Sequence, residues 1–261
     1  MQKFAYSNPA SVADASKASM QEDAKIIAGG QTLLQSMKLG LIAPSAVIDI
    51  SGIAELKGIK VEGGKVTIGA GTTHAEVAAS KEVQTAIPAL ADLANHIGDR
   101  QVRNRGTLGG SLANNDPAAC YPAAVLALGA TIKTNQREIT ADDFFQGMFT
   151  TALKDGELIT SVSFPVPEKA GWQKFKQPAS RFSLVGVFVS KGPAGVRVAV
   201  TGAGANGVFR ATELEGKLAA NYSAAALNGA KMSADHLNSD LHGSAEYRAA
   251  PIPVLAGRAV G

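Results

Sequence analysis

The chain has 261 residues, 46% of them hydrophobic, enough to bury a substantial core in one large domain or two smaller ones. Its net charge of +3 is too small, and its basic tracts too short, for nucleic acid or an acidic membrane as a partner. The single cysteine, Cys120, excludes an internal disulfide and an iron–sulfur cluster held by this chain alone, because such a cluster takes about four protein ligands.

In chain order, Met1-Gln2-Lys3-Phe4-Ala5-Tyr6 lacks the apolar stretch of a secretory signal, and the longest nearly apolar run, residues 121–132, is too short to cross a bilayer. A soluble cytoplasmic chain without membrane insertion is expected, although export with a signal-bearing partner would leave no trace in this sequence. Ser11-Val12-Ala13-Asp14 opens a short helix. Residues 25–28 then form an apolar strand that runs into Gly29-Gly30-Gln31-Thr32, followed by a helix near 31–38 and a strand at 46–50. Strand, double glycine and helix start make an anion site: the first amides of a helix lack intrahelical partners and carry the positive end of its dipole.

Residues 59–62 and 66–69 pattern as a hairpin around Gly63-Gly64. Thr73-His74-Ala75-Glu76 is a capping box for a helix with its body at 77–80, and a second helix is expected at 88–96. The next segment is the most informative. Arg100, Arg103 and Arg105 precede a glycine-rich turn, Gly106-Thr107-Leu108-Gly109-Gly110, and hydroxyl and amide donors follow at Ser111, Asn114 and Asn115. Glycines let backbone amides converge on an anion, and the neutral side chains add donors. Two such loops without a Walker lysine favour a dinucleotide-type cofactor over a nucleoside triphosphate.

A helix at 122–128, a strand at 130–134 and a strand at 158–164 follow, and Pro165-Val166-Pro167 breaks the chain at a domain boundary. Beyond it, 172–176, 184–191 and 195–201 alternate like strands of an antiparallel sheet, with helices at 211–219 and 223–230 packed on one side. The strand ending at Thr201 enters a formal G-x-G-x-x-G at Gly202, Gly204 and Gly207, but Val208-Phe209-Arg210 stands where a dinucleotide-binding unit needs a helix, so a turn is expected. The four histidines show no metal spacing, and His74 and His96 read as surface or capping residues. No nucleophilic triad, paired-carboxylate arrangement or metal site is expected.

Two long motifs, residues 28–34 with Met37-Lys38-Leu39 and residues 97–110, resemble the FAD-binding, or medium, subunit of the molybdenum hydroxylases, the family of xanthine dehydrogenase, carbon monoxide dehydrogenase and bacterial aldehyde oxidoreductases. Residues 67–74, 115–119 and 197–204 extend the resemblance over nearly the whole chain. It implies an α+β fold: a two-lobed FAD-binding domain of the vanillyl-alcohol-oxidase-like type at 1–165, with lobes of about 1–55 and 56–165, and a small C-terminal α+β domain at 166–261.

The resemblance also implies the cofactor contacts. Ala28, Gly29, Gly30, Gln31, Thr32 and Leu33 would wrap the diphosphate and adenosine side of a non-covalently held FAD, and Thr107, Gly110, Ser111 and Asn114 would form the opposite wall. Ile97 would lie against the ring system, and Leu158 and Ile159 would flank the adenine or flavin pocket. Cys120 stands where better-known members place an aspartate that contacts the flavin or ribityl chain, and a neutral thiol there would shift the flavin potential. The eukaryotic xanthine dehydrogenases carry a lysine near the flavin on the strand corresponding to 183–187; Leu184, Val185 and Gly186 offer none, so the resemblance does not carry over their reactivity toward NAD.

The implied partners are a large subunit with molybdopterin-bound molybdenum and a small subunit with two [2Fe–2S] clusters, in a heterotrimer or a dimer of heterotrimers, with FAD on this chain passing electrons to a terminal acceptor. Arg103 and Arg105 are expected either at the interface with the iron–sulfur subunit or paired internally with Asp99 or Asp116. Two other readings stay open on the sequence: an autonomous flavin oxidoreductase of the same fold, and an assembly subunit that binds no flavin.

Overall fold

The computed structural model of the protein describes residues 2–261. Strands β1 (Ala5–Ser7), β2 (Ala24–Ile27) and β3 (Ala46–Asp49) form a parallel sheet in the order β1-β3-β2. The helix Val12–Ser19 starts where the sequence places it, with Ser11 accepting from the Asp14 amide, and buries Val12 and Ala15 against Ile48.

The second sheet contains β4 (Ile59–Glu62), β5 (Lys65–Gly69), β6 (Thr131–Thr134) and β7 (Glu138–Thr140). A short hairpin, β8 (Phe145–Gly147) and β9 (Thr150–Thr151), precedes β10 (Ile159–Pro165), which completes this sheet in the order β4-β5-β10-β6-β7. Its core faces the helices Pro88–Asn95, Leu108–Asn114 and Tyr121–Ala127. The Thr73 capping box is formed in both directions, with Glu76 accepting from the Thr73 amide at 2.7 Å.

The last sheet is antiparallel, β11 (Lys169–Lys176), β12 (Ser183–Gly192), β13 (Gly195–Thr201) and β14 (Phe209–Arg210), in that order. β12 reads as a near-continuous apolar run because both its faces are covered. Val185, Val187 and Val189 pack with helical residues such as Leu214, Ile252 and Leu255, while Phe188 joins Trp172 on the core of the second sheet. β14 returns antiparallel to β13 with Val200 opposite Phe209, so the G-x-G-x-x-G is the turn of a hairpin and not a phosphate loop.

Several expectations are corrected. Residues 223–230 hold only the 3₁₀ turn Ala224–Leu227, and the face of the last sheet is instead closed by Ala245–Ala249 and Pro251–Val260. Two prolines in the first turn of Pro251–Val260 masked that helix in the sequence, although proline is tolerated there because those amides have no intrahelical acceptor. Residues 106–110 are not one open turn: Thr107 is the N-cap of the helix Leu108–Asn114, and Gly109 and Gly110 lie in its first turn.

Candidate functional site

β2 ends at Ile27 and the chain turns through Gly29 and Gly30 before the helix Leu33–Lys38 begins. Gly30 has φ +71°, a left-handed conformation that glycine adopts without strain. Gly29 is required for a different reason: a Cβ there would run into the backbone carbonyl of Arg105. The two predicted loops are therefore pressed against each other, and Ala28 faces Gly110 across the same seam.

Their donors differ. Among the described residues the amides of Gly29, Gly30, Gln31, Thr32 and Leu33 meet no protein acceptor, so five consecutive N–H groups are free at a half-exposed turn. The amides of the second loop are already spent: Leu108 donates to Thr72, Gly109 to Ala70, Gly110 to the Thr107 hydroxyl at 3.1 Å and Ser111 to Thr107. The second loop thus offers side chains, the half-buried Ser111 and Asn114, whereas the first offers backbone. A diphosphate beside a chain of hydroxyls fits this set, because its oxygens need converging donors and no fixed cation.

Asn115, with φ +42°, ends the Leu108–Asn114 helix and is buried, its amide donating to the carbonyls of Gly147 and Thr150. That bond ties the β8–β9 hairpin to the loop. From the other side, the Thr201 hydroxyl meets the carbonyls of Pro117 and Ala119 and the Gly202 amide donates to Pro117, so the end of β13 clamps residues 117–119.

Cys120 follows this clamp and is buried. Its Sγ is 3.4 Å from Ser183 Oγ and 3.4 Å from Lys174 Nζ, and the same ammonium donates to the His96 carbonyl at 2.9 Å, beside Ile97. Lys174 is the residue that sequence reading missed. No lysine stands at 184–186, but Lys174 lies opposite Gly186 in the β11–β12 register and brings a cation to that point from the neighbouring strand. The signal was cross-strand, since a partner's side chain covers the space a glycine leaves.

Ile97 is half-buried in a turn held by Arg103, whose Nη1 donates to the carbonyls of Ile97 at 3.1 Å and Gly98 at 3.2 Å. Neither expected carboxylate pairs with Arg103, for Asp99 caps the Val102 amide and Asp116 the Ala118 amide. Leu158 and Ile159 point into two cores, Leu158 with Ile48, Ile53 and Leu56, and Ile159 with the core of the second sheet.

His74 is not the surface residue its capping position suggested. It is 5% exposed, beside Gly106 and tilted against the Tyr121 ring at 5.3 Å, and burial, helped by the Arg103 charge, pulls its pKa down to about 4. Burial also raises the Tyr121 hydroxyl above its ordinary range. Asp49, at the end of β3, is pushed up by burial, but hydrogen bonds from Ser51 and Tyr6 and the charge of Arg105 outweigh this and hold it below the usual carboxylate range.

Residues 2–167, which contain both loops and the Cys120 segment, match the family described as the FAD binding domain in molybdopterin dehydrogenase. The chain belongs to this family. It is 38% identical to the nicotine 6-hydroxylase medium subunit of Paenarthrobacter nicotinovorans, over 98% of this chain and 95% of that one. It is 33% identical to the carbon monoxide dehydrogenase medium chain of Hydrogenophaga pseudoflava, over 99% and 96%. Among solved structures, a carbon monoxide dehydrogenase from Hydrogenophaga pseudoflava superposes with a TM-score of 0.88 at 33% identity, covering 99% of this chain and 96% of that one. Quinoline 2-oxidoreductase from Pseudomonas putida 86 superposes with a TM-score of 0.87 at 29% identity and the same coverage. The chain is an oxidoreductase subunit with an α+β FAD-binding fold, a medium subunit of the molybdenum hydroxylase type. Among the described residues no helix is long and apolar enough to cross a membrane.

Proposed function

We propose that this subunit transfers electrons through FAD, from [2Fe–2S] clusters on a small partner subunit to a terminal acceptor, while a large partner subunit hydroxylates substrate at molybdopterin-bound molybdenum. The observation that carries this reading is the run of free amides at residues 29–33, closed against a second loop whose free groups are side chains. Bound there, FAD supplies a carrier that accepts and releases electrons singly or in pairs.

The chain's own residues bind and orient. The amides of Gly29 to Leu33, with Ala28, hold the diphosphate and adenosine side; Ser111, Asn114 and the Thr107 hydroxyl face it, with Gly110 leaving room at the seam. Ile97, fixed by Arg103, lies against the ring system, and Cys120 with Lys174 sets the charge beside it. Leu158 and Ile159 support the pocket from the two cores behind it. We read residues 1–165 as the FAD domain in two lobes and 166–261 as the C-terminal domain, in a cytoplasmic heterotrimer or a dimer of heterotrimers.

Purification of the native complex tests this. Co-purification of this chain with a molybdenum subunit and an iron–sulfur subunit, with flavin, molybdenum and iron all present, is the expected result. A chain that purifies alone with FAD and turns over a substrate by itself would instead be an autonomous oxidoreductase.

A further inference from the structure

Beside the junction at Cys120, at the open end of the last sheet, lies a cavity of about 580 Å³ with no part in the cofactor contacts above. A volume of this size suits a small organic molecule. Its position follows from the strands. Phe175, on its rim, succeeds Lys174, and Leu184, on its floor, succeeds Ser183; Lys174 and Ser183 are the two residues that converge on the Cys120 sulfur.

The walls are aromatic and open. Phe175 is 40% and Tyr247 51% exposed, their rings 6.1 Å apart and tilted by 55°. Exposing two rings on one rim is costly unless something flat covers them. The polar groups on the rim are donors. Gln177 Nε2 donates to His242 Nδ1 at 2.9 Å, and because an amide nitrogen only donates, the neutral imidazole carries its proton on Nε2, which meets no acceptor among the described residues. The His242 ring is fixed edge-on to Phe182 at 5.2 Å. The acidic group on the rim, Asp240, is taken up by Arg248 at 2.8 and 2.9 Å.

We propose that this cavity binds a planar quinone-type electron acceptor, stacked on Phe175 and Tyr247 with a carbonyl oxygen accepting from His242 Nε2. Flat apolar walls with neutral donors match a conjugated dicarbonyl ring. They do not match a nicotinamide dinucleotide, whose phosphates would find Lys176 as the one cation on the cavity wall. The inference rests on the flavin reading above. Bound there, the quinone takes two electrons and two protons as the reduced cofactor returns to its oxidised form, and it leaves as the hydroquinone.

The test is equilibrium dialysis of menadione against the full chain, with and without FAD, for the wild type and for Phe175→Ala and Tyr247→Ala. Each variant is expected to bind menadione about tenfold more weakly, the order set by loss of one stacking wall, with FAD content and reoxidation by ferricyanide unchanged. The proposal is overturned if the wild type binds no menadione, if the variants bind it like the wild type, if NAD displaces it, or if the variants lose their partner subunits but keep their menadione affinity. Failure of the flavin reading is separate: the chain would take up no FAD, whatever the dialysis shows.

Discussion

The ammonium of Lys174 lies 3.4 Å from the thiol of Cys120, across the junction between β11 and the loop that follows the Leu108–Asn114 helix. Where relatives of this family carry a carboxylate, this chain sets a neutral thiol against a cation. The local charge is therefore more positive, which favours a reduced, more electron-rich flavin over an oxidised one. Lys174→Met is expected to lower the midpoint potential of the bound FAD while leaving its stoichiometry unchanged, as read by potentiometric titration. An unchanged potential would remove Lys174 from the flavin's environment.

Gly29 provides a sharper test of the loop seam. Even a methyl group meets the Arg105 carbonyl, so Gly29→Ala must separate the two loops. We expect loss of FAD with the melting temperature of the FAD-free chain little changed, since the turn lies outside the three cores. Full FAD occupancy in Gly29→Ala would mean that the seam does not hold the cofactor.

Much of this was legible in the sequence, and the failures share a cause. The capping box at Thr73, the strand at β2 and the antiparallel order of β11 to β13 rest on local signals, and local signals survived. What the sequence did not carry was which donors were free. Gly109 and Gly110 looked like a second backbone cradle, yet Ala70 and Thr107, reached only through the fold, consume their amides. His74 looked like a cap residue because its helix position is exposed in isolation; packing of Tyr121 and residue 106 buries it. Lys174 was invisible because it acts across a strand pair.

Burial of His74 predicts a pH dependence. Its folded pKa, about 4, lies below the ordinary histidine value of 6.5, so the unfolded chain binds the extra proton first as pH falls. The fold keeps this contribution above 6.5 and loses it progressively down to about 4, by roughly 3 kcal/mol at most. Urea unfolding of the wild type and of His74→Phe at pH 7.5 and about pH 4.5 should show a smaller drop in the variant. Equal drops would place the acid sensitivity elsewhere.

Arg103 spends a guanidinium nitrogen on two carbonyls at residues 97–98. Arg103→Leu should destabilise the chain by about 2 kcal/mol, the scale of a charged hydrogen bond to backbone, and broaden the flavin absorbance as Ile97 loosens. An exchange such as Arg103→Lys should restore little, because the ammonium lacks the fork that spans both carbonyls. A variant with unaltered stability and spectrum would return Arg103 to a purely intersubunit role.

The central claim is that residues 28–33 and 107–114 together hold FAD without a covalent link, which acid precipitation of the purified chain tests most directly. The account predicts about one FAD per chain, all of it released into the supernatant and none left on the pellet. A chain that neither carries flavin nor takes it up from solution, or a pellet that stays yellow, would contradict it.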